Sequence, residues 1–159
     1  MKTLIVYYSR SGTTRAVARR LGELLGGDVE EIRDMRSRKG AIGFMRSGFE
    51  ALGKRKTAIV LPASNPKDYD LVVVGTPIWA GRIASPMRAY LNQMQGAIPC
   101  CACFCTSGGG GYASALEEMV ELVGCRKCAT LELTEKQVKS ESLSSVLATF
   151  ADKLRGDTQ

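Results

Sequence analysis

Hydroxyl side chains are concentrated in the turn that follows the first apolar run of the chain. Residues 4–8 are apolar, and the next six residues are Ser9-Arg10-Ser11-Gly12-Thr13-Thr14. If a helix follows, its N-terminus carries unpaired N–H groups and a partial positive charge. The hydroxyls add hydrogen-bond donors, and Gly12 allows close approach of the backbone. The turn therefore either binds a phosphate group or caps the helix.

Two glycine-containing segments follow other apolar runs. After residues 71–74 comes Gly75-Thr76-Pro77-Ile78-Trp79-Ala80-Gly81-Arg82, and after residues 98–105 comes Thr106-Ser107-Gly108-Gly109-Gly110-Gly111-Tyr112. Neither segment has the lysine of a Walker loop or the spaced glycines of a dinucleotide site. A phosphatase-like site at Cys105 lacks an arginine to clamp phosphate. Trp79, the only tryptophan, either flanks a flat cofactor or packs in the core.

This 159-residue chain contains no histidine, which limits the catalytic mechanisms that its own side chains can support. Histidine is the side chain most used for general acid–base catalysis, so an activity here is expected to depend on a cofactor. The net charge of +6 is explained most simply by a solvated basic surface, and a protein partner, if there is one, is expected to be acidic. Much of the positive charge lies in residues 33–56, where few aromatic residues are interleaved, and this composition argues against nucleic-acid binding.

Apolar runs alternate with segments of helical period, a pattern typical of a parallel sheet covered by helices on both faces. Strands are expected at residues 4–8, 29–32, 71–74, 98–105 and 130–133. Ser85 and Pro86 are predicted as the N-cap and first residue of a helix, and residues 44–52 as a short amphipathic helix. Ligands of such sheets bind beyond the carboxyl ends of the strands, so the three unusual segments are expected to converge there.

Six cysteines require a separate interpretation. Cys101, Cys103 and Cys105 alternate along one strand and should share a face, with Cys100 on the opposite face. Cys125 and Cys128 have a spacing that metal sites use. Tight packing of small side chains explains the set better, because strand alternation divides it between two faces.

The three segments together resemble the flavodoxin family. The phosphate loop of that family reads Ser/Thr-x-Thr/Ser-Gly-x-Thr, and residues 9–14 match it in full. Residues 75–82, continued by 84–88, look like the flavin-contacting segment, and residues 106–112 are similar to the loop that closes over the ring. The resemblance spans nearly the whole chain. It implies one flavodoxin-like domain over residues 1–155, with a five-stranded parallel sheet of order 2-1-3-4-5 in a three-layer α/β/α arrangement.

The resemblance also implies a non-covalently bound FMN, with the isoalloxazine ring held between the second and third loops. Backbone amides around Ala80 and Gly81 would contact the redox edge of the ring. No catalytic or metal-binding residue is assigned. The expected FMN-binding residues are Ser9, Arg10, Ser11, Gly12, Thr13, Thr14, Thr76, Pro77, Ile78, Trp79, Ala80, Gly81, Thr106, Ser107, Gly108, Gly109 and Tyr112.

Three functions remain open at this stage. The first is a flavodoxin-family carrier that passes electrons to a redox partner protein, with an acidic surface favoured for that partner. The second is an FMN-dependent oxidoreductase that takes hydride from NAD(P)H and reduces a quinone or another small acceptor. The third, of another class, is a non-redox binding module that acts through its basic segment.

The sequence also gives expectations for the location and assembly of the protein. No apolar run is long enough to span a membrane, and the opening residues lack the core and cleavage site of a signal peptide. A cytoplasmic protein with reduced cysteines is therefore expected. A homodimer is left open.

Overall fold

The computed structural model describes residues 1–35, 58–110, 112–125 and 128–157. The helix expected at residues 44–52 and most of the basic segment lie outside these ranges. The described strands are β1 (Thr3–Tyr7), β2 (Asp28–Glu31), β3 (Arg33–Asp34), β4 (Ile59–Val60), β5 (Leu71–Trp79), β6 (Arg82–Ile83), β7 (Cys101–Ser107) and β8 (Cys128–Thr134). The described α-helices are α1 (Thr13–Leu25), α2 (Ser85–Gln93), α3 (Ala113–Val123), α4 (Glu135–Val138) and α5 (Leu143–Asp157), and a short 3₁₀ helix covers Pro66–Asp68.

The main sheet has the order β2-β1-β5-β7-β8, and every neighbouring pair on this path is parallel. Counted along the chain, these five strands have the order 2-1-3-4-5, so the predicted fold class is confirmed. Short antiparallel pairs, β5 with β6 and β3 with β4, were not predicted. No described helix combines the length and apolarity needed to cross a membrane.

Strand alternation distributes the core between the two faces of the sheet. On β1, Leu4 and Val6 contact one apolar cluster, whereas Ile5 and Tyr7 contact the other. Helices α2 and α3 contribute Met87, Tyr90 and Met119 to the first cluster, and helices α1 and α5 contribute Val17, Leu21, Leu147 and Phe150 to the second. The result is the expected three-layer arrangement, in which the central strand β5 is apolar on both sides.

The central strand continues past the glycine where the sequence predicted its end. Strand β5 extends to Trp79, so the predicted end at Gly75 was wrong. A Cβ atom on Gly75 would lie 2.0 Å from Cζ of Phe104, so this glycine marks close packing of two strands rather than a turn. Pro77 is tolerated beyond it because the pairing of β1 with β5 ends at Gly75.

Other predicted boundaries moved by a few residues. Strand β7 includes Thr106 and Ser107, which the sequence placed in a loop, and β8 covers Cys128–Thr134 rather than residues 130–133. Helix α2 has Ala84 at its N-cap, so the N-cap predicted at Ser85 was wrong. The Ser85 side chain is fully buried and does not cap the helix. The shared face of Cys101, Cys103 and Cys105 is confirmed, since all three line the first apolar cluster.

Candidate functional site

Three adjacent strands bring the three segments to the same edge of the sheet. In the parallel register, Tyr7 of β1 lies opposite Gly75 of β5, and Gly75 lies opposite Phe104 of β7. Strand β1 ends just before the first segment, whereas β5 and β7 continue into the second and third segments. The convergence expected from the sequence therefore rests on the pairing of neighbouring strands.

The first loop leads into a helix that no side chain caps. Gly12 is the N-cap of α1 with φ of 100°, and no described side chain accepts a hydrogen bond from the first turn. That turn contains no acidic residue. The Ser9 hydroxyl oxygen accepts a hydrogen bond from the Gly12 N–H at 3.0 Å, which closes the loop without capping the helix. The N–H groups of the first turn are thus arranged to bind an anion, which favours phosphate binding over simple capping.

The hydroxyls of this loop fall into two sets. Ser11 is exposed and Thr13 is half-buried, and their hydroxyl oxygens lie 3.4 Å apart. Thr14 is only 1% exposed, and its Oγ1 lies 2.8 Å from Oγ1 of Thr106 on β7. Arg10 is exposed at the tip of the loop. Ser11 and Thr13 are therefore accessible from solvent, whereas the Thr14 side chain is buried in the first turn of the helix.

The second segment forms a two-residue hairpin between β5 and β6. Trp79 pairs with Arg82, and the connecting Ala80 and Gly81 have φ of 48° and 73°. Two positive φ values in a two-residue connection define a type I′ turn, which favours Asn-Gly. Ala80 is the non-glycine residue with positive φ in the described chain, and the left-handed conformation costs about 1–2 kcal/mol for a residue with a Cβ. The hairpin tip therefore carries backbone strain, and Ala80 is exposed there.

Two expected ring-binding residues support this hairpin from inside. Trp79 is 7% exposed and its ring meets that of Tyr8 edge-on, with 5.5 Å between centroids. The buried Thr76 hydroxyl donates to the Pro77 carbonyl at 3.0 Å and accepts from the Ala84 N–H at 3.2 Å. Pro77 and Ile78 are half-buried. Contact of the Trp79 ring face with a cofactor stays a prediction.

The third loop repeats the construction of the first. The Ser107 hydroxyl oxygen accepts from the Gly110 N–H at 3.0 Å, and Gly110 has φ of 139°. Gly108 and Gly109 are exposed, with open space where a Cβ would be. Tyr112 is the N-cap of α3, and its Oη is buried without a hydrogen-bond partner among the described residues. Tyr112 thus packs inward, while the two glycines leave backbone accessible to a flat ligand.

Two contacts that the sequence did not predict join the hairpin and helix α2 to helix α3. The Ser114 hydroxyl, in the first turn of α3, donates to the Gly81 carbonyl at 3.3 Å. Deeper in the protein, Arg88 Nε donates to Glu118 Oε1 at 2.7 Å, and Arg88 Nη2 lies 3.5 Å from the Ile83 carbonyl oxygen. Ser114 and Gly81 are 33 positions apart in sequence, and Arg88 and Glu118 are 30 apart. The one available signal was a charged residue, Arg88, within an otherwise buried helix segment.

Burial and neighbouring charges shift the pKa values of three groups near the strand ends. Burial, and secondarily the charge of Glu132, raises the pKa of Cys105 to about 12, so its thiol stays protonated and is a poor nucleophile. Together with the missing arginine, this argues against the phosphatase-like alternative. Burial and the charge of Glu31 raise the pKa of Tyr7. Arg15 Nη2 pairs with Glu31 Oε1 at 2.7 Å, and this contact raises the pKa of the guanidinium.

An uncapped helix N-terminus beside a strained hairpin and a glycine loop, at the strand ends of a doubly wound sheet, defines a mononucleotide-binding α/β protein. The family model described as Flavodoxin matches residues 2–148. The chain therefore belongs to the flavodoxin family, as its sequence motifs indicated.

Individual relatives agree with this family. A flavoprotein from Lactobacillus acidophilus NCFM, solved in complex with FMN, is 26% identical with a TM-score of 0.68, covering 86% of this chain and 95% of that chain. Oxidised flavodoxin 1 from Bacillus cereus shares the fold, with a TM-score of 0.60 and 16% identity over 98% of each chain. An NAD(P)H dehydrogenase (quinone) from Cupriavidus metallidurans is 36% identical over 98 residues, which are 60% of this chain and 47% of that protein. The match thus spans about half the length of that curated relative.

Proposed function

We propose that this protein binds FMN non-covalently at the three loops and carries electrons through it. The uncapped first turn of α1 is the observation that supports this function most directly, because its N–H groups and the accessible Ser11 and Thr13 hydroxyls match the acceptors of a phosphate group. The Lactobacillus relative that binds FMN supports the same ligand.

The remaining parts of the site suit a flat ring. The exposed backbone at Gly108 and Gly109 allows close approach, and Ala80 and Gly81 present peptide groups at the hairpin tip. Bound FMN would supply the redox chemistry, because the sequence has no histidine and the Cys105 thiol stays protonated. The protein groups then bind the phosphate, orient the ring and exclude water from it.

A second candidate is an FMN-dependent oxidoreductase that takes hydride from NAD(P)H and reduces a quinone. The relative named NAD(P)H dehydrogenase (quinone) favours it, although the match covers half of that protein. A non-redox binding module stays the alternative of another class. Protein that remains colourless after incubation with FMN would favour that module.

The FMN site is tested by titrating apoprotein with FMN and measuring the Kd by quenching of flavin fluorescence. Ser11→Ala and Thr13→Ala should each weaken FMN binding about tenfold, since each removes a donor to a charged group. Ser145→Ala, which removes an exposed hydroxyl from α5, is the matched control and should leave the Kd unchanged. Unchanged affinity in both loop variants would contradict the proposed phosphate site.

The two redox functions are separated by their electron donors. The FMN-loaded protein is mixed with NADPH or NADH and a soluble quinone, and oxidation of the nicotinamide is followed by its absorbance. Sustained turnover supports the oxidoreductase. Negligible turnover, together with rapid reduction by a flavoprotein reductase, supports the carrier.

The net charge of +6 predicts an acidic surface on a protein partner. The exposed Arg10 places positive charge in the phosphate loop, and the exposed Arg19 and Arg20 add positive charge farther along α1. Electron exchange with such a partner should slow as ionic strength rises from about 0.01 to 0.15 M, because screening shortens the range of attraction from about 30 to 8 Å. Exchange that does not depend on salt would contradict an acidic partner.

A further inference from the structure

A buried pair of hydroxyls connects the phosphate loop to the strand that carries the third loop. Thr14 and Thr106 are 1% and 2% exposed, 92 positions apart in sequence, and their hydroxyl oxygens lie 2.8 Å from each other. Within the described part of the chain, neither hydroxyl has another hydrogen-bond partner. Among the described residues, each hydroxyl therefore has only the other as its hydrogen-bond partner.

The pair of hydroxyls leaves one proton without an acceptor. Each hydroxyl has one proton to donate, and one of the two protons forms the bond between the oxygens. The other proton has no acceptor among the described residues, and a buried donor without an acceptor is costly. Thr14 is the second residue of α1, in the turn whose N–H groups are uncapped. A phosphate bound at that turn would provide the missing acceptor.

We propose that Thr106 is a positioning residue for phosphate recognition. Its hydroxyl donates to Thr14 Oγ1 and so directs the Thr14 proton toward the phosphate of FMN. Hydrogen bonds in such a chain polarise one another, so the Thr14 donor becomes stronger as well as better aimed. The sequence had suggested instead that Thr106 contacts the flavin as part of the third loop. The proposal rests on the phosphate site proposed above.

The test compares FMN with riboflavin, which lacks the phosphate. In Thr106→Val, which keeps the side-chain shape and removes the hydroxyl, the ratio of the riboflavin Kd to the FMN Kd should fall about tenfold. If the pair only holds α1 against β7, both Kd values will rise together and the ratio will not change. That result, or an unchanged FMN Kd, would overturn the proposal.

Thr3→Val is the matched control. Thr3 is a buried threonine of β1 whose Oγ1 lacks a hydrogen-bond partner among the described residues, and it lies at the amino end of its strand. The same substitution there should leave the Kd ratio at its wild-type value. If Thr106→Val does not fold, Thr106→Ala removes the same hydroxyl without adding a methyl group, and the same ratio decides.

Two further variants separate positioning from packing. Thr106→Ser keeps a hydroxyl and should restore most of the preference for FMN. The double variant Thr14→Val/Thr106→Val should have the same ratio as Thr14→Val alone, because Thr106 acts only through Thr14. Additive losses would overturn the proposal. Wild-type protein that binds FMN no better than riboflavin would remove the phosphate site itself, whereas a preference that survives Thr106→Val removes only the role of Thr106.

Discussion

In the buried ion pair between α2 and α3, removing one charge should destabilise the protein more than replacing both residues with apolar ones. The side chains of Arg88 and Glu118 are 4% and 9% exposed, and a 2.7 Å contact joins them. Arg88→Met leaves a buried carboxylate without its partner, and Glu118→Leu leaves a buried guanidinium without its partner. Each single change should lower the free energy of unfolding by about 3–5 kcal/mol, because an unpaired charge stays inside the protein.

The double variant has a different expected result. Arg88 Nη1 and Glu118 Oε2 both lack hydrogen-bond partners among the described residues, so the native pair already contains two unsatisfied polar atoms. Arg88→Met/Glu118→Leu removes both charges and both unsatisfied atoms. Its free energy of unfolding should lie within about 1 kcal/mol of the wild-type value, or above it.

Urea unfolding of the apoprotein, followed by circular dichroism, measures all four members of this cycle. Similar m values would show that the variants expose similar surface on unfolding. Asp152→Asn is the surface control, since the Asp152–Arg155 pair is largely exposed and its loss should have little effect. Single variants that cost less than about 1 kcal/mol, or a double variant that costs the sum of both singles, would refute the argument from burial.

Four other predictions concern the loops and the buried thiol. Ala80→Asn should raise the free energy of unfolding by about 0.5–1 kcal/mol, measured by thermal unfolding, because asparagine adopts positive φ more readily; a loss of stability would contradict strain at the hairpin tip. Iodoacetamide at pH 8 should alkylate the half-buried Cys100 and not the buried Cys105, as peptide mass mapping would show. The pKa of Cys105 is raised from the ordinary 9.0 to about 12 in the folded protein, so its contribution to stability is full below about pH 9 and is lost as the pH rises toward 12. Cys105→Ala should therefore reduce the fall in the free energy of unfolding between pH 9 and 12, and an equal fall in both proteins would contradict the raised pKa. Ser114→Ala should weaken FMN and riboflavin binding equally, by about threefold, because it loosens the hairpin and not the phosphate loop; a change confined to FMN would contradict this.

The sequence predicted the sheet well because its signals are local. Runs such as residues 71–74 and the alternating cysteines of β7 show which residues are buried on which face. The predicted end of β5 was wrong because a glycine in the sequence indicates a turn. In the structure, Gly75 is small because the ring of Phe104 from a neighbouring strand packs against it. Such a contact between distant segments cannot be read from one strand. The Arg88–Glu118 and Thr14–Thr106 contacts were missed for the same reason.

The first and third loops show which part of the site exists before a ligand binds. In both, a serine at or just after a strand end accepts a hydrogen bond from the N–H of a glycine three residues later, and that glycine has positive φ. The serine fixes the loop and the glycine permits its conformation, so little loop ordering should remain to oppose binding. The two loops differ in the backbone that they present, because Gly12 starts an uncapped helix, whereas exposed glycines precede Tyr112 and α3. Under the proposed function, the same closure would supply amides for the phosphate in one loop and open backbone for the ring in the other.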